Sequence, residues 1–435
     1  MHCWRAALLR FDENGQALFE RDGLLVTGPD AQGRQVVLAA GSHAQLAPRY
    51  ADAPCTHWPG RILAPGFIDP HIHYPQTDMI GSPAEGLLPW LERYAFAQEA
   101  RFADPEHAAQ VAAFFCDELA RQGVTTALVF CTSHPASVDA LFAEAQRRGL
   151  RLIAGKTLQD RCGPPGLRDD AAQSLIDSQA LLARWHGRGR LGYAIAPRFA
   201  PGCSEAQLRG AGELAARYPD AWIQSHAAEN LDEVALARRL FPAARSYLSI
   251  YADCGLMRPR AVFAHCIHID EDGRRLLRES GAAAAVCPGS NLFLGSGFFD
   301  FAAAARAGFL HALASDVGAG FSFSPFVTMR AAWCVGQAAQ GGGAGLTPER
   351  LWWLHTAGAA RALGLGGLTG NLQPGCEADF IALNPAATPL LERRAAQAGS
   401  LAELLAAFIM LGDDRAVEKT VIGTMAANTA NPDIP

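Results

Sequence analysis

The sequence predicts an α/β chain: a (β/α)8 TIM-type barrel beside a small β-domain formed from both termini. Three observations carry that prediction. Eight short β-rich runs alternate with longer Ala-, Leu- and Arg-rich stretches through the middle of the chain. Chemistry-bearing polar residues fall at the C-terminal ends of several of those runs. Both flanks are instead made of short β-like runs punctuated by turns. A doubly wound open sheet would also alternate strands and helices. In a barrel, however, the strand ends converge on one spot, and barrels place their sites there.

The barrel strands are expected at residues 62–72, 125–130, 152–157, 191–197, 221–225, 261–265, 283–287 and 311–315. Most gaps between them leave room for a helix, as at 204–218 and 270–280. In the flanks, 24–26, 35–38, 379–383 and 419–422 read as strands, bounded by turn residues such as Gly28-Pro29 and Gly41-Ser42. Residues 1–65 and 371–435 are expected to pair into one β-sandwich-like domain, leaving 66–370 as the barrel. The length of 435 residues agrees with a division, because single cores rarely grow beyond about 250–300 residues.

Composition narrows the function. Half the residues are hydrophobic, 18% are charged and the formal net charge is -6. No long basic run points to nucleic acid as a partner. The N-terminal apolar stretch is too short and interrupted for a secretory signal. The most apolar late stretch, Leu401–Leu411, is far short of a membrane span of roughly 20 residues. A cytoplasmic protein with no membrane partner is expected. The eleven cysteines are scattered, with no C-x-x-C pair. They read as small buried hydrophobes in a reducing compartment, not as a disulfide framework or a zinc knuckle.

The sharpest feature is Asp69-Pro70-His71-Ile72-His73. Residues i and i+2 of a strand face the same way, so both imidazoles would point into the barrel. A lone histidine is usually a satisfied core or surface residue. Two at strand spacing suit a borderline metal such as zinc or iron. Asp69, one layer deeper, could orient a ligand or serve as a plain buried hydrogen-bonding group. The fifth run ends in His226, with Glu229 three residues on. That spacing suits a ligand with a nearby proton carrier, although H-x-x-E also occurs by chance. The sixth run ends at His265 and the eighth at Asp316, which in isolation could be a helix N-cap. Arg198-Phe199, after the fourth run, reads by itself as a surface Arg beside a core Phe; at a strand end it would instead present a planar fork of donors and an aromatic face to the same cavity. Trp90, Tyr94 and Phe96 could form a lid, a dimer surface or core.

These motifs resemble those of the amidohydrolase superfamily. The opening Pro65-Gly66-Phe67-Ile68-Asp69-x-His71-x-His73 carries the resemblance, with His226, His265 and Asp316 at later strand ends. Within it, the chain resembles the guanine deaminase family. The specific carriers are His71-Ile72-His73-Tyr74-Pro75-Gln76, Pro197-Arg198-Phe199, Ser225-His226-Ala227-Ala228-Glu229-Asn230, Cys287-Pro288-Gly289-Ser290-Asn291-Leu292 and Ser315-Asp316-Val317-Gly318-Ala319-Gly320.

The resemblance implies a hydrolase with one zinc ion per chain (iron as the alternative), held by His71, His73, His226 and Asp316. Relatives with two metals bridge them by a lysine on the fourth strand. Here that strand ends in Arg198, and Lys156 lies on the third. The implied reaction is hydrolysis of guanine to xanthine and ammonia by a metal-bound hydroxide, within purine catabolism. Glu229, Asp316 and His265 take the catalytic roles. His73, Gln76, Arg198, Phe199, His226, Glu229 and Asp316 line the substrate. The resemblance also implies a homodimer. The alternative is a related amidohydrolase that deaminates another purine or a triazine ring.

Overall fold

The computed structural model describes residues 1–83, 85–340, 345–423 and 425–426. The last residues of the expected terminal domain, 427–435, lie outside them. The chain opens with four strands, β1 (His2–Phe11), β2 (Ala17–Pro29), β3 (Gln35–Ser42) and β4 (Cys55–Pro65). Nine follow: β5 (Phe67–His73), β6 (Val124–Phe130), β7 (Arg151–Gly155), β8 (Thr157–Leu158), β9 (Gly192–Pro197), β10 (Trp222–Ala227), β11 (Ala261–His265), β12 (Ala283–Val286) and β13 (Leu310–Leu313). The chain returns through β14 (Phe380–Leu383), β15 (Val417–Ile422) and β16 (Met425–Ala426).

Two sheets result. The terminal strands form one sheet in the order β16-β15-β14-β4-β1-β2-β3. Its centre is β4, which pairs in parallel with β1 on one side and antiparallel with β14 on the other. The other strands form a near-closed parallel barrel in the order β13-β12-β11-β10-β9-β7-β6-β5, with β8 paired to β9. The ends of β5 and β13 meet through the Asp316 N–H donating to His71 O (3.0 Å) and the His73 N–H donating to Val317 O (2.7 Å). Helices lie between most successive strands.

Barrel strands buried on both faces read as continuous apolar runs. Strand β6, Val-Thr-Thr-Ala-Leu-Val-Phe, is buried throughout. Alternate residues serve opposite faces. Ile68, Leu128, Ile153, Ala194, Val262, Ala283 and Ala312 pack in one cluster, while Phe67, Val129, Leu152, Ile195, Phe263, Ala284 and Leu313 pack in another.

The helix Pro105–Arg121 illustrates the outer layer. The Asp104 side chain accepts from the Glu106 N–H, and Pro105 starts the helix. Ala108, Val111, Ala112, Phe115 and Leu119 form its buried face, at helical spacing.

One expected strand divides. The apolar run 62–72 is not a single barrel strand: β4 ends at Pro65 in the terminal sheet and β5 begins at Phe67 in the barrel. The break is at Gly66, where an added Cβ would sit 2.3 Å from Thr125 Oγ1. Glycine lets the two sheets approach there. Among the described residues, no helix is long and apolar enough to cross a membrane.

Candidate active site

Every residue singled out at a strand end reaches one cavity or its floor. His71 and His73 end β5, on the same face, as the i, i+2 spacing requires. His73 Nε2 lies 3.3 Å from His71 Nε2 and 3.0 Å from His226 Nε2. Asp316 Oδ1 completes the ring at 3.1 Å from His71 Nε2 and 3.4 Å from His73 Nε2.

This set fits a metal. Bonds of roughly 2.0–2.1 Å in a tetrahedral site put neighbouring donors about 3.3–3.4 Å apart. Burial lowers the pKa of His71 to about 4 and that of His226 well below the ordinary value, so both rings are neutral, the form that binds a metal. The His226 Nδ1–H donates to Arg198 O (2.5 Å), which leaves Nε2 as the free donor atom. Burial works against ionisation of Asp316, yet hydrogen bonds from His71 and His73 hold its carboxyl well below the usual range. His265 Nε2 also lies within 4.8 Å of the His71, His226 and Asp316 donor atoms. It stands 3.9 Å from Asp316 Oδ2, outside the tighter ring of four.

The backbone at these strand ends is unusual. Ala228 (φ 49°), His265 (φ 68°) and Asp316 (φ 55°) all take left-handed conformations. Such residues persist only where the surroundings over-determine them, and they cluster at functional sites.

Beside the ring stands Glu229. Burial raises its pKa to about 7. It accepts from Ser296 Oγ (3.1 Å), and its Oε2 lies 3.4 Å from His265 Nε2. His265 donates through Nδ1–H to Asn291 Oδ1 (2.9 Å). Its Nε2 is buried without a hydrogen-bond partner. Burial opposes the charge on His265, but Glu229 and Asp316 outweigh it and raise its pKa.

These groups face one cavity. Its polar lining is His73, Gln76, Arg198, His226, Glu229, Glu233, His265 and Asp316. Phe199, Trp90, Leu87, Leu91, Leu294 and Ala319 form apolar walls. Apolar walls around a cluster of titratable groups are the usual make-up of a small-molecule site.

The sequence profile of the amidohydrolase family matches residues 62–425. The chain belongs to the amidohydrolase family. Guanine deaminase of Escherichia coli K12 is 44% identical over 363 residues, which is 83% of this chain and 82% of that protein. The structure of E. coli guanine deaminase superposes with a TM-score of 0.92 at 38% identity, covering 98% of both chains. Guanine deaminase from C. acetobutylicum, solved with guanine bound in the active site, superposes with a TM-score of 0.88 at 27% identity. That match covers 96% of this chain and 98% of the other.

In this amidohydrolase, Asp69 does not orient an imidazole. Its Oδ1 accepts from the N–H groups of His71 and Ser315, both at 3.2 Å, and so staples the ends of β5 and β13 together. Lys156 pairs with Asp169 at 2.6 Å, away from the histidine ring. Trp90 is a cavity wall anchored by its Nε1–H on Ser82 O (3.0 Å). Phe96 is buried with the Arg198 guanidinium 5.3 Å over its ring, and Tyr94 packs half-buried in the same apolar cluster.

Two carboxylates escape sequence reasoning. Glu233 accepts from the Glu229 N–H (2.7 Å) and pairs with Tyr247 Oη, so it fixes the backbone under Glu229. Its signal was available: Asn230-x-x-Glu233 is a capping box. Glu99 binds both Arg198 and Gln76. It lies three residues past the stretch 87–96, and nothing around it in sequence singles it out.

Proposed function

We propose that this amidohydrolase is a guanine deaminase, converting guanine and water to xanthine and ammonia. One observation carries the reading: donor groups of Arg198 and Gln76 share one cavity with His73, His226 and Asp316 of the donor ring and with the Glu229 carboxyl. The names of the close relatives support it. We also propose the division into residues 1–65 with 371–435 and residues 66–370. A cytoplasmic homodimer in purine breakdown completes the reading: eleven free cysteines fit a reducing compartment, and the dimer is what the family resemblance implies.

The cation is one zinc ion per chain, because three imidazoles and a carboxylate suit that borderline metal, with iron the next candidate. His71, His73, His226 and Asp316 hold it. A bound zinc ion lowers the pKa of a water from 15.7 to about 7, making a nucleophile available at neutral pH.

The protein's own groups do the rest. Guanine lies between Phe199 and the apolar wall, with C2 toward the ring of histidines. O6 and N7 are adjacent acceptors, matched by the Arg198 fork and the Gln76 amide N–H. Asp316, held ionised, takes the proton from water as the oxygen adds to C2. Glu229 gives its proton to N3, then takes the proton of the added hydroxyl and hands it to the leaving amine as the C2–N bond breaks; the proton held by Asp316 returns Glu229 to its acid form. The unpartnered His265 Nε2 donates to the oxygen as charge builds on it.

The test is ammonia release from guanine, beside adenine and cytosine, on protein whose metal has been counted. Release from guanine alone with about one metal per chain is expected. A full metal site with no release from guanine would remove the substrate assignment. Arg198→Ala should lower guanine kcat/KM by about 10²-fold or more while metal content holds. Loss of the metal instead would make Arg198 structural, which its carbonyl bond to His226 gives a route to.

A further inference from the structure

We propose that Glu99 is the residue that sets the base selectivity of the site, by turning Gln76 and Arg198 into an edge that offers donors only. The inference rests on the guanine reading and deepens it. Glu99 touches no substrate in this arrangement; it is a positioning residue.

Three bonds converge on its carboxylate. Arg198 donates from Nη1 (2.5 Å) and Nη2 (2.9 Å), and Gln76 donates from Nε2 (2.8 Å). The carboxylate is buried, and its side chain is only 3% exposed. Burial alone would push its pKa up, but Arg198 and Gln76 hold it below the ordinary value. An ionised carboxylate only accepts hydrogen bonds.

The other end of Gln76 is pinned by a group of opposite kind. Its Oε1 accepts from the Gly318 N–H (3.2 Å). A flipped amide would set its oxygen against the carboxylate and its N–H₂ against an N–H. Both contacts would be repulsive inside a buried site, where unmet polar groups are costly. The amide therefore has one orientation. Its second Nε2–H is left over as a donor, on a residue that lines the cavity. A guanidinium has no acceptor at all. Phe96 beneath Arg198 and Gln159 Oε1 beside Nη1 (3.4 Å) restrict the fork further.

A donors-only edge accepts a purine with acceptors at O6 and N7. It meets a 6-amino group donor to donor. Without Glu99 the Gln76 amide is free to turn and offer Oε1 to such an amine. Sites built around specific hydrogen bonds discriminate strongly because a mismatch leaves buried groups unpaired.

The experiment compares guanine with 2,6-diaminopurine, which keeps the reacting 2-amino group and exchanges O6 for an amine. Metal-loaded wild type and Glu99→Gln are assayed for kcat/KM on both, with metal content and melting temperature recorded. The variant should lose about 10²-fold on guanine, as expected for a misplaced binding group. Its guanine-to-diaminopurine ratio should fall at least about tenfold below wild type. Equal losses on both substrates, with the ratio unchanged, overturn the proposal, because a merely structural role moves both together. Should Glu99→Gln fail to fold, Glu99→Asp keeps the charge beside Arg198 but is too short to hold the fork and the amide together. Its ratio should fall too, and an unchanged ratio overturns the proposal equally. Metal-loaded wild type that releases no ammonia from guanine would sink the guanine reading, and this inference with it. Wild type active on guanine with variants of unchanged ratio would sink the inference alone.

Discussion

Asp316→Ala is expected to lose guanine turnover by about 10⁴-fold or more, together with most of its metal. Asp316 is the carboxylate in the ring of four, within 3.4 Å of both His71 and His73 Nε2. Its removal leaves three neutral imidazoles facing a divalent cation with no compensating charge. The proposed acceptor of the water proton disappears as well. Metal counting and single-turnover assays on the same preparation check this. A variant with full metal and wild-type turnover would strip Asp316 of both roles. Full metal with lost turnover would keep the proton role and move the ligand role to His265, whose Nε2 lies nearby.

Glu229→Gln should cost about 10²–10⁴-fold in kcat, the usual worth of a positioned proton carrier. Metal content should be unchanged, since Glu229 stands outside the donor ring and contacts His265. The wild-type pH profile supplies a second check. Burial raises the Glu229 carboxyl to about 7, so it carries its proton below neutral pH and loses it above. Free-enzyme kcat/KM should therefore fall as pH rises through about 7. The residual activity of Glu229→Gln should lack that alkaline limb, because an amide does not titrate there. A limb of the same shape in the variant would assign the titration to another group.

Much of this site was legible in the chain because its parts lie at strand ends. A strand fixes which way residues two apart point, so His71 and His73 declare themselves as a pair. A barrel gathers its strand ends, so His226, His265 and Asp316 needed only to follow apolar runs. The same logic fails for Glu99. It sits on the short helix Phe96–Ala100, where no period relates it to the barrel axis. Its partners, Arg198 and Gln76, come from β9 and β5 connections that only the folded chain brings near. The cavity walls Leu87, Leu91 and Leu294 were equally silent, since an apolar residue in sequence does not say whether it faces a core or a ligand. The run 62–72 misleads for the opposite reason. Its apolar continuity suggested one strand, and the Pro65-Gly66 step inside it marked the change of sheet.

The central position of β4 has a consequence for biosynthesis. The residues that pair with β1, Ile62 and Leu63, also pair with Leu383 and Ala382 of β14. On the ribosome, β1–β4 emerge first, and the partner for the far edge of β4 emerges only after the whole barrel. Until then an apolar strand edge, Ile62-Leu63-Ala64, is open to any other nascent chain. The interval in which this protein is most exposed to misassembly is thus set by the time needed to translate its barrel.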